Sequence, residues 1–333
     1  MAQNKNINSS NISVVLQGPT ANINIKKNLF QIRKVLPNAE IIISTWKSKK
    51  KFTFKNVKFL YLKEPKAMID INGVPLNYNK MIYSTYCGIN KATKKYILKL
   101  RTDCSLVNKN FLNISKYDNN IKKKFFSEKV NITNFFTRNP IKLPFLFFLS
   151  DLVMFGKKKD LKIIWYHKRY MKKKDFFYNK KNFSNIFNNY NGYSLLKKNP
   201  EQALFINLKK KFGFKNEIKN PCYIDKNLLY ESETLLINNF QLFESKLSGI
   251  IFPRKFDENY KAKSLIYYKK DFDKIKSIYQ SSFRAYLRFL AIILNKYIIC
   301  FFKIDFYLSN LSIFLRNFLK ILQKILYRYY ERS

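Results

Sequence analysis

The chain has 333 residues, 47% of them apolar, and carries 64 Lys and Arg against 21 Asp and Glu, for a formal net charge of +43. The apolar fraction and the abundant Phe and Tyr exclude a disordered chain and allow one large domain, alone or with an appendage. The charge suggests a polyanionic partner: nucleic acid, an acidic membrane surface or phosphorylated substrates.

The run ISVVL, Ile12 to Leu16, ends in Gln17-Gly18-Pro19 and reads as a buried strand entering a turn. Ile25, Leu29, Ile32 and Leu36 then follow at helical spacing until Pro37 and Asn38 stop the helix. EIIIST, Glu40 to Thr45, and VKFLYL, Val57 to Leu62, predict two more strands, separated by a loop from a helix over Asn77 to Ala92. YILKL, Tyr96 to Leu100, is a fourth strand, and it ends abruptly in Arg101-Thr102-Asp103. This alternation is an α/β pattern, and ligands of open α/β sheets bind beyond the carboxyl ends of the strands. The polar tips Gln17-Gly18-Pro19, Ser44-Thr45 and Arg101-Thr102-Asp103 all fall at such ends. Further on, Val130 to Phe136 predicts a strand, Leu161, Ile164 and Trp165 mark a helix, and Lys172 to Asn191 reads as a loop. Pro200 opens a helix over Glu201 to Lys211, with proline at its first position and a carboxylate in the first turn.

The character changes after about Asp271, which divides the chain into a domain over 1–270 and a helical appendage over 271–333. Phe283, Leu287, Leu290, Leu294 and Phe301 share one helical face, and Arg284, Arg288, Lys296 and Lys303 the other. A second amphipathic segment, Leu308 to Tyr330, has Arg316, Lys320, Lys324 and Arg328 on its polar side. Wide apolar faces rimmed by cations suit helices lying in a membrane interface; the competing reading is a helical hairpin packed on the domain.

Composition narrows the chemistry. Codons rich in A and T favour Lys, Asn, Ile, Phe and Tyr and explain part of the charge, though not the scarcity of Asp and Glu. Cys87, Cys104, Cys222 and Cys300 contain no CxxC pair, which excludes a zinc ribbon or a disulfide framework and suits a reducing compartment. The amino-terminal MAQNKNINSS lacks the apolar run of a secretory signal, and no uninterrupted apolar stretch reaches about 18 residues, so a cytoplasmic protein is expected. His167 is the single histidine, so a His-rich metal site is excluded, and no nucleophile elbow accompanies it.

Carboxylates, Lys or Arg, or a cofactor must therefore carry any catalysis. Asp103 at a strand tip could ligate a divalent cation bridging the phosphates of a nucleotide-sugar, and Arg101 could pair with phosphate oxygens through its planar fork. Sugar transferases often carry Asp-x-Asp here; Arg101 replaces the first acid, which weakens the metal expectation and offers its own charge in the metal's place. Asp151 lies in FLFFLSDLVMFG, where an ionised carboxylate must be paired, exposed at a tip or functional. Glu201 is either a general base or a first-turn acid complementing the helix dipole. Asn79 and Lys80 sit near a helix start, where backbone N–H groups and a cation can hold phosphate.

Together, ISVVLQGP, EIIISTW, NYNKMIYST, YILKLRTD, TRNP, SDLVMFG followed by DLKIIW, and PEQALFI resemble, in order and spacing, the WavE-like lipopolysaccharide-synthesis proteins. The resemblance runs from about Ile12 to Phe212, and the last third carries no part of it. It implies a GT-A-like glycosyltransferase with a Rossmann-type mixed sheet flanked by helices. Its substrates would be a nucleotide-sugar donor and a lipid-linked oligosaccharide acceptor of lipopolysaccharide or surface polysaccharide. Gln17, Gly18 and Pro19 would lie near the nucleotide, with Thr45, Asn79 and Lys80 contributing, and Arg101 and Asp103 near the diphosphate. Asp103 would be the ligand of a manganese or magnesium ion, and Asp151 and Glu201 would face the acceptor as catalytic carboxylates. The family usually carries Arg where this chain has Lys80, which turns a bidentate grip into a point charge. The expected setting is the inner face of the bacterial inner membrane, against anionic lipid, with no nucleic-acid partner.

Three other readings predict different features. A nucleotidyltransferase would want a glycine-rich phosphate loop, and QGPTANIN is too glycine-poor. A basic nucleic-acid-binding protein would rest on charge and aromatics, though no module motif for it appears, and a non-catalytic membrane-surface module would need only the tail. The enzyme reading hangs on a cationic pocket at the strand ends that grips a diphosphate.

Overall fold

The computed structural model describes residues 7–21, 23–48, 52–69, 75–115, 117, 124–168, 170–177, 196–253 and 265–301. The amphipathic segment Leu308 to Tyr330 and most of the loop expected after Lys172 lie outside these residues.

Seven strands form one sheet: β1 (Ile12–Gln17), β2 (Glu40–Trp46), β3 (Val57–Leu62), β4 (Tyr96–Arg101), β5 (Val130–Thr133), β6 (Met154–Lys157) and β7 (Phe240–Phe243). Their order is β7-β5-β6-β4-β1-β2-β3. Only β6 runs antiparallel to its neighbours; the other pairings are parallel. This is the mixed α/β architecture expected.

The strands read as nearly unbroken apolar runs because helices cover both faces. Alternation along β1 sends Val14 and Leu16 to one face, where they meet Ile25, Leu29 and Ile32 of α1 (Ile25–Val35). Val15 points to the other face, into a core shared with Tyr78, Ile82 and Ile89 of α2 (Tyr78–Lys91). Helix α2 lies so close to the sheet that a Cβ on Gly88 would stand 2.4 Å from Cγ1 of Val15. The same core takes in Leu161, Ile164 and Trp165 of α3 (Lys158–Trp165) and Leu204, Phe205 and Leu208 of α4 (Pro200–Lys211).

Helix α5 (Lys226–Asn239), strand β7, and helices α6 (Lys269–Ile278) and α7 (Ser282–Phe301) complete the described chain. Phe272, Ile275 and Ile292 join the same core as α2 and α4, so α6 and α7 are tied to the domain. The tie is also ionic. Glu233 of α5 is buried and accepts hydrogen bonds from Tyr267 Oη (2.7 Å) and Tyr279 Oη (2.6 Å), and Arg288 of α7 closes on it through Nε and Nη2, the latter at 2.5 Å. Arg288, expected on a solvated basic face, instead turns inward.

The chain runs from β1 outward to β2 and β3, then returns through α2 to β4 on the other side of β1. That reversal leaves a crevice beyond the carboxyl ends of β1 and β4, where ligands of such sheets bind.

Candidate active site

The tips of β1 and β4 are tied together by short-range bonds that follow from their residue types. Thr102 N donates to Gln17 O (3.0 Å), and Thr102 Oγ1 donates to Pro19 O (2.7 Å). Gly18 sits at φ +130°, and a Cβ there would come within 3.0 Å of Thr102 Oγ1, so glycine is required both by conformation and by space. From α1, Asn28 Nδ2 donates to Thr102 O (2.8 Å), bracing the turn from behind.

Beyond these tips opens a cleft of about 950 Å³, within the size range of small-molecule sites. Gln17, Gly18, Pro19, Lys80, Arg101, Asp103, Asp151 and Glu201 all line it. Thr45 and Asn79 do not. Thr45 is buried on β2, opposite Tyr61 of β3. Asn79 is spent on the backbone of Met171, donating from Nδ2 (2.9 Å) and accepting at Oδ1 (3.0 Å). Lining residues that sequence reasoning missed include Trp46, Glu64, Tyr78, Phe136 and Pro253. Trp46 had a signal, an aromatic ending a strand. Phe136 had none: it adopts φ +65°, a conformation few non-glycine residues take, just past a strand shorter than its apolar run.

The cleft differs in charge from the expected cationic pocket. Its described lining holds two cations, Lys80 and Arg101, against four carboxylates, Glu64, Asp103, Asp151 and Glu201. Both cations are already paired. Lys80 Nζ meets Glu64 Oε1 at 2.7 Å. Arg101 closes a fork on Asp103, Nε to Oδ1 at 2.8 Å and Nη2 to Oδ2 at 2.6 Å. Burial opposes the Arg101 charge, but the Asp103 bonds and charge outweigh it, and the guanidinium is held above its ordinary pKa.

This pairing bears on the metal expectation. Both oxygens of Asp103, the expected ligand, are taken by guanidinium. Among the described residues no group of three or more His, Cys, Asp or Glu side chains is placed to hold a metal ion. Among the described residues the β4 tip offers a single carboxylate, already held in a guanidinium fork, and the positive charge there comes from Arg101.

The other end of the cleft is carboxylate. Asp151 is 8% exposed and sits in the turn before β6, which is clamped from below. Ser150 N donates to Thr137 Oγ1 (3.0 Å), and the buried Lys99 Nζ donates to the carbonyls of Asp151 and Leu152, the latter at 3.2 Å. Lys99 also lies 4.8 Å from the ring centroid of Trp165, and burial lowers its pKa to about 8. Glu201 is delivered by the start of α4. There Gln202 accepts from Asn199 N (3.1 Å) and donates to Leu146 O and Pro221 O, both at 3.0 Å, which fixes the first turn. Burial first, and then the nearby Asp151 charge, push the Glu201 carboxyl up to about 7, and Arg138 opposes the shift. A carboxyl tuned to this range can take or give a proton near neutral pH.

His167 stays outside the cleft. Its ring meets Tyr78 edge-on, with Nε2 3.3 Å from Tyr78 Oη. Burial, helped by the Lys211 charge, lowers its pKa to about 4, so it is neutral.

Two solved structures of LgtC are similar to part of this chain. One, an active-site mutant, is 11% identical, with a TM-score of 0.28. The other, a galactosyltransferase in complex with donor and acceptor sugar analogues, is 13% identical, with a TM-score of 0.27. Each similarity covers 45% of this chain and 59% of the other, so the chain spans less than two thirds of those neighbours. No curated protein matches. The family described as WavE lipopolysaccharide synthesis matches residues 12–326, which extends the resemblance through the last third of the sequence, where no part of it was expected. The chain belongs to the WavE lipopolysaccharide synthesis family.

Proposed function

We propose that the cleft transfers a sugar from a nucleotide-sugar to a hydroxyl of a lipid-linked oligosaccharide, as one step in building lipopolysaccharide or a related surface glycan. The observation that carries this reading is the meeting of the β1 and β4 tips, with Lys80 and Arg101, and the Asp151–Glu201 carboxylates in one cleft at the reversal of strand order. Family membership agrees with it.

In this reaction Gln17, Gly18 and Pro19 hold the nucleotide, and Lys80 and Arg101 take the diphosphate. Glu201 or Asp151 removes the acceptor hydroxyl proton. The oxygen forms a bond to the anomeric carbon as the bond from that carbon to the diphosphate breaks. The nucleoside diphosphate leaves with the electron pair, and its growing charge falls on Arg101. Arg101 thus does the work that a divalent cation does at an Asp-x-Asp tip. A groove for nucleic acid would present a surplus of cations, and this lining has a surplus of acids.

Ligand-detected NMR across a panel of nucleotide-sugars, with manganese and with chelator, tests the reading. At least one donor should bind equally well in both, and Arg101→Ala should weaken it about tenfold or more. Binding by no donor, or unaltered binding to Arg101→Ala, would remove the proposed site.

A further inference from the structure

Helix α7 is built the wrong way round for water. Its twenty residues include three cations and no acid. A surface helix normally hides its apolar stripe and exposes its ions. Here Arg288 is locked inward on Glu233, Asn295 Nδ2 donates to Ile141 O (2.6 Å), Ile292 is fully buried, and Lys296 is 8% exposed. Outward, Phe283, Leu287, Leu290, Leu294 and Ile298 form one stripe at helical spacing, with Phe283 and Leu294 68% and 65% exposed. Tyr286 and Tyr297 flank it, each about half exposed. No sheet edge or neighbouring helix among the described residues covers this stripe.

The stripe has a cationic rim. Arg284 is exposed on α7 itself, and the exposed Lys226 lies 5.7 Å from the Tyr286 ring at the margin of the stripe. Large apolar side chains with aromatics at their margin and cations around them match the chemistry of an anionic bilayer surface, with the stripe in the acyl boundary and the cations among headgroup phosphates. Among the described residues no helix is long and apolar enough to cross a membrane, so the fit is to a helix lying on the surface.

We infer that the outward face of α7 binds anionic phospholipid membranes, with the inward Arg288–Glu233 lock holding the domain to the membrane-bound helix. The sequence alone assigns Arg288 to the wetted basic face. The structure gives that residue a different task and leaves the outer stripe more apolar than an amphipathic reading allows. The inference stands apart from the transfer reaction, because it concerns a surface and not the cleft.

The test is sedimentation of the full chain with vesicles of phosphatidylcholine, alone or mixed with phosphatidylglycerol. The full chain should partition onto the mixed vesicles. A triple variant, Leu287→Ser, Leu290→Ser and Leu294→Ser, should lose at least about tenfold of that binding. Its thermal unfolding should be unchanged, since the three side chains are exposed. In a second variant, Leu290→Trp, binding should persist and the added fluorescence should shift to the blue on mixed vesicles only. Triple-variant binding equal to the parent would overturn the proposal. So would a dimer that falls to monomers in the triple variant without any dependence on vesicles, which would assign the stripe to a second copy. A loss of thermal stability with vesicle binding intact would assign it to the chain's own covering and overturn the proposal equally. Binding of a nucleotide-sugar in solution should not change in any of these variants, so failure here and failure of the transferase reading are separable.

Discussion

Glu201 and Asp151 face the same cleft from different scaffolds, a helix start and a strand entry, and the Asp151 charge makes Glu201 harder to ionise. A general base works only when deprotonated. With Glu201 held at about 7, kcat/KM should fall as pH drops through that value. Asp151→Asn removes one of the two causes and should move the acid limb to lower pH, which a profile over about pH 5 to 9 would register. Glu201→Gln should remove the limb and lower kcat by about 10²–10⁴, with nucleotide-sugar binding retained. A limb that neither substitution moves would place the titrating group elsewhere. Lys99 bears on the same profile from below, since its ammonium fixes the Asp151 backbone without reaching the cleft.

Among the elements, those with a clean period were legible in the sequence and those packed on every side were not. Strands β1 to β4 and helices α1, α2 and α4 lie close to where apolar spacing and Pro200 put them. Helix α5 passed unread because nearly its whole circumference is buried, Glu231 and Glu233 included, so no polar face marks its period. Strand β6 passed unread because its apolar run began nine residues earlier, in the irregular Phe145–Val153 stretch. Site residues at strand tips were readable as abrupt changes from apolar to charged. The pairing of Lys80 with Glu64 and of Arg101 with Asp103 was not, because spacing says nothing of which charges meet across a fold. The α5–α7 lock gives a prediction at this scale. Glu233→Gln would leave the largely enclosed Arg288 guanidinium without its buried countercharge and should cost about 3–5 kcal/mol, read as a lower urea midpoint at unchanged slope. An unchanged midpoint would mean the lock contributes no stability.

For the molecule as a whole, +43 is a self-repelling surface charge that salt relieves. The unfolding temperature should therefore rise between low salt and about 0.5 M sodium chloride, where the Debye length shrinks to a few ångströms. A flat or falling curve would show that local ion pairs, not the overall field, dominate. The placing of charge matters as much as its sum: in a chain of net charge +43 the described lining of the cleft holds four carboxylates and two cations, so under the proposed reaction substrate phosphates would be drawn towards the protein and then meet only two cations. The seat of α2 on the sheet has its own consequence. Lys80 and Tyr78 ride on a helix whose stand-off is set by a hydrogen atom at Gly88. One added methyl group there, about 12 Å along the helix from Lys80, would act as a wedge and should tilt the Lys80 ammonium while every residue lining the cleft stayed the same.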